Sequence, residues 1–557
     1  MANNKDYNMM SNCTSKDVVK MFEAFSCEHP LDSGVQSELN SLMNKIENRS
    51  DDYEIFHHRE ITDKLWGMLI EKAIKCLRFY DKREPFFNQE DTSNKNPKAY
   101  GVDGLREYFQ RYAEFEQLLY GSNQYYRDHV IHVLRTWLSG VEMLVKNPND
   151  APFIDDIRIF EKSYSPSLNR IEKLSIWTLI SLTHDLGYPL QTAKKIIDKT
   201  RAMVSTFIMS PDISVDFSFH GVQNYMNDFI VRLMSSKMRE CLNTANNPDA
   251  CDRRDDCICK ADCLTDASKC QNVLSVARLQ PKYYFKFQKS LEQNQHGILS
   301  TLIIYKLLTY FLESDYNINE DYTFDNEERR QFYIRREILR AIASHTCDDV
   351  YQLYLASFSF LLRVCDDTQE WGRKNITELY VKSDTAAMLN EIDFKIDTSD
   401  ADIKTHQCTI AEEISISEGV EVVSTLIERF RKQALTYITV FRDGQDTDKR
   451  DFAFVRKLKI KYSGMEKIEL ILNISKDEAS SLTGYIAYNS NGSQNEMFGK
   501  QFFDSVIHLH RGDCSKKNCF GVKLYDDKNV IYEPSGTQKL PEAKSWRKGV
   551  FSINLLI

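Results

Sequence analysis

Between residues 105 and 372 the chain repeats one kind of segment. Apolar residues recur at helical spacing over 105–120, 125–146, 171–184, 189–208, 219–242, 296–313, 328–345 and 349–372. Segments with one apolar stripe bury it by packing helix on helix, so the spacing predicts a mainly helical core. Upstream, "DKLWGMLIEKAIKCLRFYDKR" (63–83) places Trp66, Leu69, Ile70, Ala73 and Leu77 at similar intervals. A stretch rich in Asn, Asp, Pro and Gly (84–104) reads as the connection between the two.

After about residue 395 the pattern changes. "GVEVVSTLIERFRKQALTYITVF" (419–441) still reads as a helix, but "KLKIKY" (457–462) and "KIELILNIS" (467–475) alternate polar and apolar residues. Such alternation marks half-buried strands, and "LTGYIAYN", "DSVIHLH", "NCFGVKLYD" and "NVIYEP" continue it. The expected organisation is an N-terminal helical region (1–100), a helical domain (101–390) interrupted by a cysteine-rich insertion (243–272), and a C-terminal α+β domain (391–557). The charge patterns in "FRKQ" (430–433) and "KLKIKY" read as solvated faces.

Composition narrows the function classes. The 557 residues are 42% hydrophobic and 27% charged, as in soluble globular proteins. A net charge of −9 supplies no general attraction to nucleic acid. The start, "MANNKDYNMMSNC", lacks the basic and apolar regions of a signal peptide. The most apolar stretch, "GILSTLIIYKLLTYFL" (297–312), is short for a membrane span and carries Lys306. A cytoplasmic protein without a membrane partner is expected, with its fourteen cysteines mostly reduced.

The candidate chemistry lies in "LISLTHDLGYPLQTAKK" (179–195), where His184 and Asp185 end an apolar run. Two such groups among Leu179, Ile180 and Leu182 need compensating partners if buried. Three other stretches supply similar residues at helix boundaries. "YYRDHVIHVLRTWLSG" holds His129 and His132, three apart and so on one helical face. "NQHGILS" holds His296, and the stretch from "REILRAIASHTC" to "LLRVCDDTQEWGR" holds His345 and Asp366. Imidazole and carboxylate from several elements suit a divalent transition metal.

This order of residues resembles the HD superfamily of metal-dependent phosphohydrolases. "RDHVIH", "THDLGYP", "QHGILS" and "LLRVCDDTQEWGR" are similar to its bacterial motifs, over roughly residues 105–385. The resemblance implies an HD-type helical core holding one or two divalent ions (Mn, Mg, Zn or Fe). By position the ligands would be His132, His184, Asp185, His296, His345 and Asp366, with Asp185 bridging. His129 competes with His132, and Asp367 with Asp366; His132 and Asp366 are preferred, leaving His129 as an outer or catalytic group. Asp185, His129 and Tyr188 are the catalytic candidates, and Arg127, Lys194, Arg363 and Arg373, with Lys195 nearby, are candidates to bind phosphate. The implied reaction is hydrolysis of a small phosphorylated or nucleotide substrate by metal-activated water.

Two departures narrow the resemblance. Tyr188 and Pro189 stand where HD-GYP cyclic-dinucleotide phosphodiesterases have a lysine. The acid–base histidines of dNTP triphosphohydrolases have no clear counterpart, His220 being a loose candidate. Three alternatives stay open: a di-iron oxygenase on the same ligands, a nuclease on single strands, and a nucleotide sensor without turnover. Cys251, Cys257, Cys259, Cys263 and Cys270 fit either a zinc-clipped insertion or a thiol-rich loop, because their gaps are irregular. Cys514 and Cys519 with His508 and His510 read as ordinary residues among strands.

Overall fold

The computed structural model describes residues 55–79, 102–122, 128–145, 153–159, 167–206, 222–240, 275–309, 323–324, 326–347, 356–369, 386–400, 403–416, 420–440, 450–462, 466–476, 482–491, 518–526, 529–532 and 548–555. Within them, helices dominate the first part and strands the last. The helical part runs α1 (Ile55–Phe79), α2 (Val102–Ser122), α3 (Val130–Val145), α4 (Phe153–Asp156), α5 (Arg170–Thr183), α6 (Tyr188–Ser205) and α7 (Val222–Ser235). It continues through α8 (Pro281–Glu292), α9 (His296–Thr309), α10 (Asn326–Ser344) and α11 (Phe358–Thr368).

Helix α5 is the axis of this core. Every residue from Glu172 to Thr183 is buried, as expected of a helix enclosed on all sides. Its polar residues are absorbed locally: Thr178 Oγ1 donates to the Leu174 carbonyl (2.8 Å) and Ser181 Oγ to that of Trp177 (2.7 Å). Its start is fixed by a capping box, in which Asn169 Oδ1 accepts from the Glu172 amide and Glu172 Oε2 from the Asn169 amide, both at 2.9 Å. Helices α1, α3, α10 and α11 pack around it. Trp66 of α1 stacks on Phe109 of α2 (4.2 Å between centroids) and donates its indole N–H to the Leu182 carbonyl (2.7 Å).

Several local features differ from the sequence expectation, and of the helix expected over 349–372 the described part runs only from Phe358, capped by Ser357, to Thr368. The helix expected over 219–242 ends at Ser235, and Ser236–Glu240 form strand β1. This strand pairs antiparallel with β2 (Ser275–Leu279), and β3 (Thr323–Phe324) adds to β2. Arg336 and Arg340 of α10 explain the stop. They donate to the carbonyls of Ser236 and Met234, taking acceptors that a continued helix would use internally. Helix α8 carries no sequence expectation; it begins with Pro281 and ends in a Schellman turn. There the Gln295 amide donates to the Ser290 carbonyl (3.1 Å) and that of Asn294 to Leu291 (2.9 Å). Asn294 takes the left-handed backbone (φ 52°) this turn requires, and the chain re-enters helix at His296.

The C-terminal part is an α+β unit, as expected. Its strands are β4 (Ala386–Asp400), β5 (Ile403–Ile416), β6 (Arg450–Tyr462), β7 (Glu466–Lys476), β8 (Leu482–Asn491), β9 (Asn518–Asp526), β10 (Asn529–Tyr532) and β11 (Lys548–Leu555). They form one sheet in the order β10-β9-β11-β8-β7-β6-β5-β4. Neighbours are antiparallel except β5 and β6, which run parallel and are connected through helix α12 (Val420–Val440). Leu458, Ile460, Ile468, Leu470, Leu472 and Ile474 are buried with Val423, Ile427, Phe430 and Ala434 of α12, while Lys457 and Lys461 are exposed. That is the alternation read in "KLKIKY". Strands β4 and β5 carry no sequence expectation, and "DSVIHLH" lies outside the described residues. No helix among the described residues is long and apolar enough to cross a membrane.

Candidate metal centre

The turn that follows α5 carries His184 and Asp185, and its backbone is fully engaged. Ser300 Oγ of α9 donates to the His184 carbonyl (2.6 Å) and accepts from the Gly187 amide (2.8 Å). Tyr108 of α2 donates to the Leu186 carbonyl (2.7 Å), and the Tyr188 amide to that of Asp185 (3.0 Å). The turn is thus pinned by α2 and α9, which explains how polar residues tolerate the end of so apolar a helix.

Four helix boundaries deliver imidazoles to the two carboxylates of Asp185 and Asp366. His132 Nε2 lies 2.8 Å from Asp366 Oδ1 and 3.7 Å from Asp185 Oδ2. His184 Nε2 lies 3.5 Å from the same two oxygens. His296 Nε2 is 3.2 Å from Asp185 Oδ1 and 3.1 Å from His345 Nε2, which is 3.9 Å from that oxygen. The six residues singled out by the resemblance therefore lie together. They form two half-sites that share His184, one of His132, His184 and Asp366 and one of His184, Asp185 and His345, with His296 beside the second.

The opposite ring nitrogens show why all four rings point inward. Each Nδ1 faces an oxygen: Gln369 Oε1 for His132, the Ser181 carbonyl for His184 (2.8 Å), Gln191 Oε1 for His296 (2.7 Å) and the Ile342 carbonyl for His345. An Nδ1–H committed outward leaves Nε2 as the inward lone pair, the arrangement metal-binding histidines adopt. His184 Nε2 is buried with no hydrogen-bond partner, a deficit that a cation would remove. Four tetrahedral donors about 2.1 Å from one ion stand roughly 3.4 Å apart, within the range of separations found here. The donor set fits a divalent cation of the nitrogen- and oxygen-binding kind.

The electrostatics follow from the crowding. Burial alone would lower the pKa of His184, but Asp185 and Asp366 outweigh it and hold it up at about 9. Burial drives His345 the other way, to about 4, assisted by the charges of His296 and His184. Burial would raise Asp185 and Asp366, yet their histidine neighbours hold both well below the usual carboxylate range.

The remaining candidates divide. His129 does not join the cluster: its ring stacks on Tyr188 (3.9 Å between centroids), and its Nδ1 lies 3.8 Å from Glu116 Oε1. The fully buried Glu116 carboxylate also accepts the His129 amide (2.6 Å). Tyr188 meets His296 edge-on (5.5 Å), so His129 and Tyr188 form a wall beside the His296 half-site. Arg363, a phosphate candidate, is instead tied to the His345 carbonyl and to Asp367 Oδ2 (3.1 Å). That pairing engages the Asp367 carboxylate with Arg363. Arg127, Arg373, His220, His508, His510, Cys514 and the five cysteines of the insertion lie outside the described residues, as do the side chains of Lys194, Lys195 and Cys519.

Sequence reasoning missed Glu116, Gln191, Gln369 and Ser300. Only Glu116 left a signal: in "YAEFEQLLYG" it shares a helical face with Tyr112 and Leu119, both buried. Comparison of the chain with family models, curated proteins and solved structures gives no match.

Proposed function

We propose that this chain is an HD-type, metal-dependent phosphohydrolase that cleaves a phosphoester or phosphoanhydride in a nucleotide-like substrate. The observation that carries the reading is the convergence of four Nε2 atoms on Asp185 and Asp366, each ring braced from behind. A bound divalent cation would supply water of lowered pKa and a polarised phosphoryl oxygen. The chain's own residues do the rest. Asp185 ties the two half-sites together, Arg363 fixes the backbone of His345, and the partly exposed His296 and Asp366 leave the centre open to water and substrate. His129, braced by Glu116 and held flat on Tyr188, is the group we assign to pass a proton from its ring to the leaving oxygen.

The test is to purify the protein without oxygen, determine its metal, and assay phosphate release from nucleotides, cyclic dinucleotides and short oligonucleotides. Asp185→Ala is expected to abolish metal retention and hydrolysis while keeping the helical circular dichroism. Hydrolysis at wild-type rate in that variant refutes the site. Iron with oxygen consumption and no phosphate release replaces the reading with an oxygenase, and a nucleotide retained intact beside metal replaces it with a sensor.

A further inference from the structure

The C-terminal part reaches the ligand-bearing end of α11 at the carbonyl of Asp367. Gln433 of α12 donates to it from Nε2 (3.0 Å), and Arg456 of β6 from Nη2 (3.5 Å). Arg456 also donates from Nη1 to Gln433 Oε1, so guanidinium and amide lock one another. Arg456 is only 1% exposed, its charge set 5.2 Å from the Phe430 ring centroid. A cation buried so completely needs fixed partners, and here it meets the negative end of a helix.

The turn it holds is the one that builds the centre. Asp366, on one side of Asp367, meets Nε2 of His132; Gln369, two residues on, meets Nδ1 of the same ring. The Asp367 carboxylate holds Arg363, whose guanidinium fixes the His345 carbonyl. One turn of α11 therefore has metal-site groups on one side and the C-terminal part on the other.

We infer that Arg456 and Gln433 are positioning residues for the metal centre, through which the C-terminal sheet sets the affinity of the His132–His184–Asp366 half-site. The inference rests on the metal reading proposed above. Its test is Mn²⁺ titration of the full chain, followed by electron paramagnetic resonance and calorimetry. Gln433→Glu keeps an acceptor for Arg456 but removes the donor to Asp367; Arg456→Lys keeps the charge but loses the fork. Each is expected to weaken Mn²⁺ binding about tenfold, as loss of a partner behind a ligand does. Lys461→Gln, which breaks an exposed pair with Glu413 on the same sheet, is expected to leave it unchanged. Unchanged affinity in both Gln433→Glu and Arg456→Lys, or a smaller bound fraction at unchanged affinity, overturns the inference and leaves the metal reading standing. A wild-type chain that binds no Mn²⁺ overturns the metal reading and the inference with it.

Discussion

Gly187→Ala tests whether the approach of α6 to α9 sets the metal centre. Gly187 has ordinary helical backbone angles (φ −78°, ψ −9°), so alanine meets no conformational barrier and any effect is steric. A Cβ there would lie 2.3 Å from the His296 carbonyl oxygen and 2.7 Å from both Leu299 Cβ and the Ser300 amide nitrogen. Two of these are backbone atoms of the first turn of α9 and cannot swing aside. Relief to 3.0 Å demands a separation of at least 0.7 Å, in the gap that the 3.2 Å Asp185–His296 contact spans. Overpacking of this kind costs about 1–3 kcal/mol, which for a chain of this size lowers Tm by a few degrees. The larger effect falls on the metal, because a displaced ligand is a lost ligand: Mn²⁺ affinity is expected to fall about 10–100-fold. Calorimetric titration and thermal melts in chelator measure both. Gly104→Ala, whose Cβ would meet nothing within 4 Å, is the control and should bind Mn²⁺ normally. If Gly187→Ala matches wild type in affinity and melting, the close approach does not set the site.

Other expectations follow from the same contacts. Trp66→Ala removes a fully buried ring and strands the Leu182 carbonyl, so urea denaturation should show a loss of about 3–5 kcal/mol. The metal-free protein should be most stable near pH 6.5. His184, raised to about 9 from 6.5, contributes stability that is full below 6.5 and fades as pH rises toward 9. His345, lowered to about 4, contributes stability that is present above 6.5 and lost as pH falls toward 4. Each arm is on the order of 3 kcal/mol, and denaturation at pH 5, 6.5 and 9 in chelator would expose a monotonic profile if the assignment is wrong. Saturating metal should raise Tm over the chelated protein, since an ion bound to the folded state alone stabilises it by about 2.7 kcal/mol at one hundred times Kd. Equal melting with and without Mn²⁺ would count against a preformed centre.

The gathering of these histidines and aspartates was legible because each sits near where an apolar helix begins or ends, a position that sequence pattern exposes. The choice between His129 and His132 was not, since residues three apart share a helical face. The decision came from Glu116, thirteen residues upstream, which takes the His129 amide before α3 begins. Asp366 and Asp367 separated for a similar reason, Arg363 four residues earlier claiming the second carboxylate. Gln191 and Gln369 were invisible, because an amide behind a histidine leaves no periodic trace. Strand β1 was hidden by length, its five residues being polar enough to pass as a helix end. Arg456 was visible and passed over: in "FVRKLKIKY" it falls in phase with Leu458 and Ile460, a charge on the buried side of a strand. Reading "KLKIKY" from Lys457 left Arg456 out, and reading "FRKQ" as a solvated face hid Gln433, which is half-buried and bonded to the Asp367 carbonyl.

The pairing of β1 with β2 has a topological meaning. Glu240 lies opposite Ser275, so the chain leaves the core and re-enters it at neighbouring points. The two ends of the segment 241–274 are thus held side by side by the strand pair itself. A two-residue Asn-Gly hairpin joining Glu240 to Ser275 would satisfy the same register. A chain in which that turn replaces residues 241–274 is therefore expected to keep the helices that carry the histidines, with circular dichroism as the check.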